Sequence, residues 1–523
     1  MSEAVDVCIV GAGVAGLTAA HELAERGVTV AVLERDRAVG GAAMSWVEED
    51  VFQEHSWRSY FPIYRNLPDI MSRIPYGSQT ALHNLTTRDS FVFWTRRTYA
   101  IAWRFPLAAL SLCVHVIMFM LWPGNPWCRR VTISGALFAD PYLCGWVAYM
   151  MMGLHPLIST MHDLCRVLLL LQYRCFNPGE RVILSRGCVA VESVHPCFMQ
   201  GRRWWPSVPA DGGDTVASVS WTGRVSLVSG SSFIFAPQGR FITCSQKEGW
   251  FDPWRRYLSH LGVRIHTGAC VRGIKSKDTH AVVECSRGAT IVAKQVVYTG
   301  WDLSPIGMET PRAMRGASEA NLSVSVTVCL DARVPVPKTA SGAPIDILGY
   351  LGSPMHLTIQ VLNSSYRAEA YIGMRDGLVL NCHGIVTEAC GLRVRKPLRT
   401  MTSEEFREEV VWQVVDCIAE ATLEDVRRVV VDRHVAFDGV RAHTVQCGDS
   451  GSFVTSNAQC MPRLPASMRV ILAGAHAECD VRVRSMETAC KSGKEAAQEC
   501  LRRLQRRGSV VLYSFAATRW TRP

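Results

Sequence analysis

Three glycines, Gly11, Gly13 and Gly16, follow the apolar run Val7–Val10, and an acid, Glu34, closes a second apolar run, Val28–Leu33, eighteen residues past Gly16. This set can bind a dinucleotide. Gly11 permits the tight turn out of a buried strand, and Gly13 has no side chain to hold a pyrophosphate away from the backbone. Gly16 lets the helix that opens at Val14 and Ala15 pack on the strand, while the helix N-terminus offers N–H groups and a positive dipole end to the phosphates. A carboxylate at Glu34 can accept hydrogen bonds from both hydroxyls of an adenosine ribose, and it would repel a 2′-phosphate. Leu17, Ala20, Leu23 and Ala24 recur at helical spacing between the two runs, and Gly27 ends that helix. A GxGxxG run alone is weak evidence; here strand, turn, helix, strand and acid occur in register.

The doublet Gly40–Gly41 follows the acid. Flavoproteins of the amine oxidase and phytoene desaturase superfamily carry such a doublet at this place, and Val5–Gly41 resembles theirs. At the far end of the chain, Val470–Ala473, Gly474-Ala475-His476, Ser485-Met486-Glu487-Thr488-Ala489 and Ser492-Gly493 are similar to the superfamily's C-terminal flavin signature. The resemblance implies FAD, held at one end by Gly11, Gly13, Val14, Ala15, Gly16, Glu34, Arg35, Gly40, Gly41 and Ala42. It implies Gly474, Ala475, Ser485, Met486 and Ala489 at the other end. A third segment, a helix over Trp250–Leu261, then Gly262–Ile265 and a strand pair at Ala281–Cys285 and Thr290–Thr299, is similar to the middle of the flavin lobe. By that resemblance a backbone amide at Val271 meets the adenine.

The fold implied is α/β, with a Rossmann-like FAD-binding lobe of the GR2 type assembled from both chain ends. An α+β substrate lobe with an antiparallel sheet and apolar helices completes it. The expected boundaries are 1–50, 239–310 and 441–508 for the cofactor lobe, 51–238 and 311–440 for the substrate lobe, and 509–523 for a tail.

Two positions depart from the superfamily pattern. The arginine that often follows the doublet is replaced by Ala42-Ala43, with Arg58 the only nearby candidate to compensate, and the acid expected after the C-terminal glycine is Ala475. Losing one charged hydrogen bond costs about 1.5–3 kcal/mol, roughly tenfold to a hundredfold in affinity. In related flavoproteins the segment holding Glu54-His55-Ser56-Trp57-Arg58 returns across the flavin, which makes His55 and Arg58 candidates near the isoalloxazine or its phosphates. The alternative is that both hydrogen-bond within a loop.

At 523 residues the chain is long enough for two or three lobes, and 48% hydrophobic against 20% charged residues is a globular balance. Basic residues outnumber acidic ones 56 to 46, which suits an anionic cofactor or a membrane surface, and no basic stripe argues for nucleic acid. Twenty cysteines contain no CxxC pair and no zinc spacing, so no metal site is expected, and Cys165, Cys329 and Cys417 fit small core residues in a reducing compartment. The first strand starts by about residue 5, leaving no room for a cleavable leader. The expected place is intracellular, at the cytoplasmic face or against a membrane.

Phe105–Trp122 carries no charge over eighteen residues, the minimum for a bilayer span. A helix buried in the substrate lobe, or lying at a membrane interface, is preferred to a span because a second apolar helix follows at about Tyr142–Tyr173. Val216–Trp221 and Arg224–Val228 suggest a hairpin, and Asn321–Ala332, Leu357–Leu362, Ala370–Gly373 and Leu378–His383 an antiparallel sheet. Thr402-x-x-Glu405 is a capping box ahead of Phe406, Val410, Val414 and Ile418 at helical spacing.

With no second GxGxxG and no CxxC, a resident nicotinamide site and disulfide chemistry are not expected. The apolar, Met- and Trp-rich lobe suits a hydrophobic small molecule, and the resemblance implies desaturation, isomerisation or dehydroxylation of an isoprenoid-type substrate, with electrons passed to oxygen, a quinone or another carrier. Two other readings remain: a flavin fold that has lost its redox role and serves as a membrane-associated structural or binding protein, and an amine oxidase.

Overall fold

The computed structural model describes residues 2–55, 58, 60, 64–87, 91–94, 104–122, 124–138, 160–162, 164–165, 217–220, 224–227, 232–233, 240–310, 322–338, 342, 344–350, 353–367, 377–386, 388–418, 420–444, 462, 464–465, 467–477 and 485–513. Ser56, Trp57, Ala370–Gly373 and nearly all of the helix expected at Tyr142–Tyr173 lie outside the described residues.

The cofactor lobe is made of β1 (Ser2–Val10), α1 (Val14–Ala24), β2 (Val30–Glu34), β3 (Arg264–Thr267), β4 (Val271–Ser276), β5 (Ala281–Cys285), β6 (Thr290–Tyr298), β7 (Val470–Leu472) and α2 (Met486–Arg503). Among the described residues these strands form one seven-stranded sheet in the order β3-β2-β1-β6-β5-β4. The long β6 takes the antiparallel β5 along its first half and the parallel β7 along its last three residues. β1, β2, β3 and β6 are parallel neighbours. Buried on both faces, such strands must be apolar throughout, as Val7, Cys8 and Ile9 or Val30, Ala31 and Val32 are. The two chain ends meet at α1 and α2. A Cβ placed on Gly493 would stand 2.3 Å from the Ala15 carbonyl oxygen and 3.0 Å from the Thr18 Cβ, so the absent side chain is what allows the contact.

The substrate lobe is built on a nine-stranded sheet among the described residues. Leu322–Asp331 pairs antiparallel with Gly377–Val386 along its whole length and with Val426–Val431 on its other edge. Ala217–Ser220 and Arg224–Leu227 form the expected hairpin. One pair departs from the antiparallel expectation: Ile347–Tyr350 runs parallel to Phe91–Trp94. The helix Ser403–Cys417 starts at a full capping box, with Glu405 N donating to Thr402 Oγ1 at 3.2 Å and Thr402 N donating to Glu405 Oε2 at 2.8 Å.

The helix expected over Trp250–Leu261 covers only Asp252–His260, behind a π-helical turn at Lys247–Phe251. Asp252 N–H donates five residues back to the Lys247 carbonyl, and Pro253 has no N–H, so the ordinary helical ladder starts afresh there. The apolar segment forms a helix at Arg104–Leu121, with Ala108, His115 and Phe119 on its buried side. Among the described residues no helix is long and apolar enough to cross a membrane.

Candidate FAD site

The glycine loop has the geometry its spacing predicts. Gly11 adopts φ +99°, and a Cβ on Gly16 would stand 1.9 Å from the Gly11 carbonyl oxygen. The doublet closes over this loop: Gly40 N donates to the Ala12 carbonyl at 2.8 Å, and a Cβ on Gly41 would lie 3.0 Å from the Gly13 Cα. Below it the rings of Trp250, Phe251 and Trp254 are stacked and fully buried, with Phe251 3.0 Å from where a Gly40 Cβ would be.

A Cβ on Gly13 would touch the Gly41 Cα at 3.8 Å, an ordinary contact, so Gly13 is not crowded by the protein itself. It is also the N-cap of α1, where no side chain caps the helix and no acid occupies the first turn. Those N–H groups are oriented for an anion. Glu34 ends β2 with Oε2 accepting from Ala12 N at 2.6 Å and Oε1 from Asp36 N at 2.9 Å. Burial pushes its carboxyl up while those two N–H groups oppose the shift. Each oxygen keeps a second lone pair, enough for the two ribose hydroxyls. Gly268 N and Ala269 N donate to the Asp36 and Glu34 carbonyls, which leads the chain into β4 at Val271 beside the acid, whereas Arg35 is exposed.

The C-terminal half comes to the same place. Gly474 adopts φ +141°, and its N–H donates to Ser492 Oγ at 3.1 Å. Ser485 caps α2 by accepting from Thr488 N at 3.1 Å. Ala12, Val14, Ala15, Val39, Ala473 and Ala489 belong to one buried cluster, with Ala475 and Met486 packed against its edge. The residues around both glycine turns thus pack into the core of one lobe.

Arg58 and His55 part company. The Arg58 guanidinium donates to the Ala42 carbonyl, the position where the superfamily arginine is missing, and it faces Glu54, Tyr60, Tyr64 and Tyr366. Burial lowers its pKa and those groups oppose the shift, Glu54 most. His55 is not turned to the glycine loop. Its Nδ1 hydrogen-bonds with Asp432 Oδ2 at 2.7 Å and its Nε2 with Ser323 Oγ at 2.9 Å, so both ring nitrogens are committed to the substrate lobe. Asp432 Oδ1 is shared with His434 Nδ1 at 2.7 Å. Burial opposes ionisation of Asp432, but the bonds from His434 and His55 hold it well below the usual carboxylate range.

Glu54 and Glu487 matter more than their sequence surroundings indicate. Glu54 is buried where the lobes join; its Oε1 accepts from Gln246 N at 2.9 Å and its Oε2 from the Tyr366 hydroxyl at 2.7 Å. Burial pushes this carboxyl up to about 7, against those hydrogen bonds and the Arg58 charge. Tyr60 donates to Gln246 Oε1 at 2.6 Å, while Gln246 Nε2 and the Gln53 amide are buried without a partner among the described residues. Orphaned buried amide groups of this kind fit a bound group with polar edges, as a flavin ring has. Glu487 accepts from Asn66 N at 2.8 Å and Leu67 N at 2.9 Å, capping the helix Asn66–Arg73. Beside it Lys494, fully buried, donates to Asp69 Oδ2 at 2.6 Å and to the Val511 carbonyl at 3.0 Å.

A Rossmann sheet closed by both chain ends over a phosphate-ready helix N-terminus, with a second lobe on an antiparallel sheet, defines an FAD-dependent oxidoreductase class. Residues 9–74 match the family of NAD(P)-binding Rossmann-like domains, and residues 225–501 match the family described as flavin containing amine oxidoreductase. The chain belongs to the flavin containing amine oxidoreductase family, whose cofactor is FAD.

It is similar to a carotenoid phi-ring synthase of Chlorobaculum tepidum, 24% identical over 343 residues that cover 59% of this chain and 45% of the relative. A carotenoid phi-ring synthase of Streptomyces griseus is 37% identical over 98 residues, covering 16% of this chain and 19% of the relative. The chain thus matches less than half the length of either. Among solved structures, putrescine oxidase bound to putrescine overlays with a TM-score of 0.59 at 12% identity, covering 96% of this chain and 100% of that one. Cyclohexylamine oxidase from Brevibacterium oxydans overlays with a TM-score of 0.55 at 11% identity, also covering 96% and 100%. At these identities the structural likeness speaks for the fold.

Proposed function

We propose that this protein acts with FAD on a long hydrophobic, isoprenoid-type substrate, by desaturation, isomerisation or dehydroxylation; a desaturation passes two electrons on to oxygen, a quinone or another carrier, whereas an isomerisation leaves no net electrons to pass on. The observation that carries this reading is the pattern of likeness. The carotenoid phi-ring synthases are related in sequence, whereas the amine oxidases are similar in fold at 11–12% identity.

FAD supplies a two-electron acceptor for a substrate C–H bond. The chain's own residues do the rest. Gly13 and the N-terminus of α1 hold the pyrophosphate, Glu34 holds the adenosine ribose, and Arg58 brings back at Ala42 the positive charge the sequence lacks there. Glu54, with a pKa near 7, sits between Arg58, Tyr366 and Gln246 and can hold or release a proton at that junction around neutrality. The aromatic stack of Trp250, Phe251 and Trp254 keeps water from beneath the doublet.

The test is a visible spectrum of the detergent-purified protein, followed by anaerobic addition of a carotenoid-type polyene or of an amine. Bleaching of the flavin bands by the polyene supports the proposal. Bleaching by the amine alone replaces it with amine oxidation, and a colourless folded protein replaces it with a binding or structural role.

A further inference from the structure

The helix Arg104–Leu121 has two unlike sides. Ala108, His115 and Phe119 are buried, while Leu107, Leu110, Val114, Ile117 and Leu121 point outward. Their spacing of three and four residues places the five on a single stripe. Leu110 is 62% exposed, Ile117 55% and Leu121 74%, values seldom seen for neighbouring aliphatic side chains on one helix. At the C-terminal end of the stripe stand two more exposed residues, Trp122 and Trp127, each 59% accessible. Trp127 lies in the first turn of the short helix Pro126–Arg130, which the Asn125 side chain caps by accepting from Trp127 N at 2.8 Å; Asn125 N–H donates back to the Trp122 carbonyl at 3.0 Å, and Cys128 is buried against the His115 carbonyl. That short helix ends in Arg129 and Arg130, both exposed.

We infer that this face is a monotopic docking surface for an anionic lipid bilayer. The aliphatic stripe would enter the acyl boundary, the two indoles would sit at headgroup level with their N–H groups toward water, and Arg129 and Arg130 would pair with lipid phosphates. Aliphatic side chains bordered by exposed indoles and arginines are the side-chain chemistry of a bilayer's interfacial zone. The exposed Arg129 and Arg130 give this end of the face a positive charge that anionic headgroups complement, and self-association through the same face is the alternative outcome the test reads. The helix lies along the surface with one side in the protein core, so docking needs no residue to cross the membrane.

The test uses the full-length, FAD-loaded protein and vesicle flotation, with activity playing no part in the readout. Vesicles of phosphatidylcholine alone are compared with vesicles containing phosphatidylglycerol, at low and high salt, and sedimentation without lipid gives the oligomeric state. Wild type is expected to float with the anionic vesicles, less so at high salt. Leu110→Glu with Ile117→Glu should lower vesicle partitioning by about tenfold or more while the flavin spectrum stays intact, since both side chains already face outward. Arg129→Glu with Arg130→Glu should remove the preference for anionic vesicles and leave the binding to phosphatidylcholine. Equal flotation of wild type and the Leu110/Ile117 variant, or no flotation of wild type, would overturn the inference. So would a wild-type dimer that the same variant dissolves in the absence of lipid.

Discussion

Gly493 packs against the carbonyl of Ala15, which lies 478 residues earlier in the chain, at a distance that leaves no room for a methyl group. This contact sets the last helix on the first and so closes the cradle. Gly493→Ala would gain helix propensity of up to about 1 kcal/mol were the site open. Overpacking costs typically about 1–3 kcal/mol and should win, because the obstruction is backbone. A lower melting temperature together with weaker flavin retention is the expected result; a rise in melting temperature would show that the helices are not held this closely.

Glu34→Gln turns an NH2 group toward the N–H of either Ala12 or Asp36 and removes the charge that favours the ribose hydroxyls. The expected loss is about 1.5–3 kcal/mol of FAD affinity, roughly tenfold to a hundredfold. Flavin release on dilution, followed by fluorescence, measures it.

Arg58→Ala should weaken FAD by a similar factor, and Ala42→Arg in that background should recover most of the loss. Ala42 is exposed, so the longer side chain has room. A dissociation constant unchanged by Arg58→Ala would remove the compensating role from this residue.

Glu54 makes stability depend on pH. Its folded pKa, about 7, lies above the 4.5 of an ordinary glutamate, so the folded state holds the proton more firmly than the unfolded chain. The resulting contribution is fully present below pH 4.5 and is lost as pH rises to about 7, at roughly 1.4 kcal/mol per pH unit through that window. Glu54→Gln, neutral at every pH, should flatten that slope. Denaturant unfolding of both proteins at several pH values between those limits provides the comparison.

The parts of the site that could be read from sequence are those whose partners are close along the chain. Gly11, Gly13, Gly16 and Glu34 fall within one strand–helix–strand unit, and the Thr402–Glu405 box and the Ser485 cap each span three residues. The parts that could not be read depend on partners far away. His55 finds Asp432 across 377 residues, and Glu54 finds Gln246 across 192 and Tyr366 across 312. No periodicity carries such pairings, so the sequence around His55 could not show that both its ring nitrogens are taken by Asp432 and Ser323. The parallel pairing of Ile347–Tyr350 with Phe91–Trp94 was hidden for the same reason, since short β-branched runs do not state their direction.

The cap that Glu487 places on the helix Asn66–Arg73 has a temporal consequence. As the polypeptide leaves the ribosome, the backbone N–H groups of Asn66 and Leu67 must wait for a carboxylate made about 420 residues later. The capped start of this helix is therefore a late assembly: Asn66 and Leu67 emerge early, but their N–H groups are satisfied only when the helix Met486–Arg503 arrives.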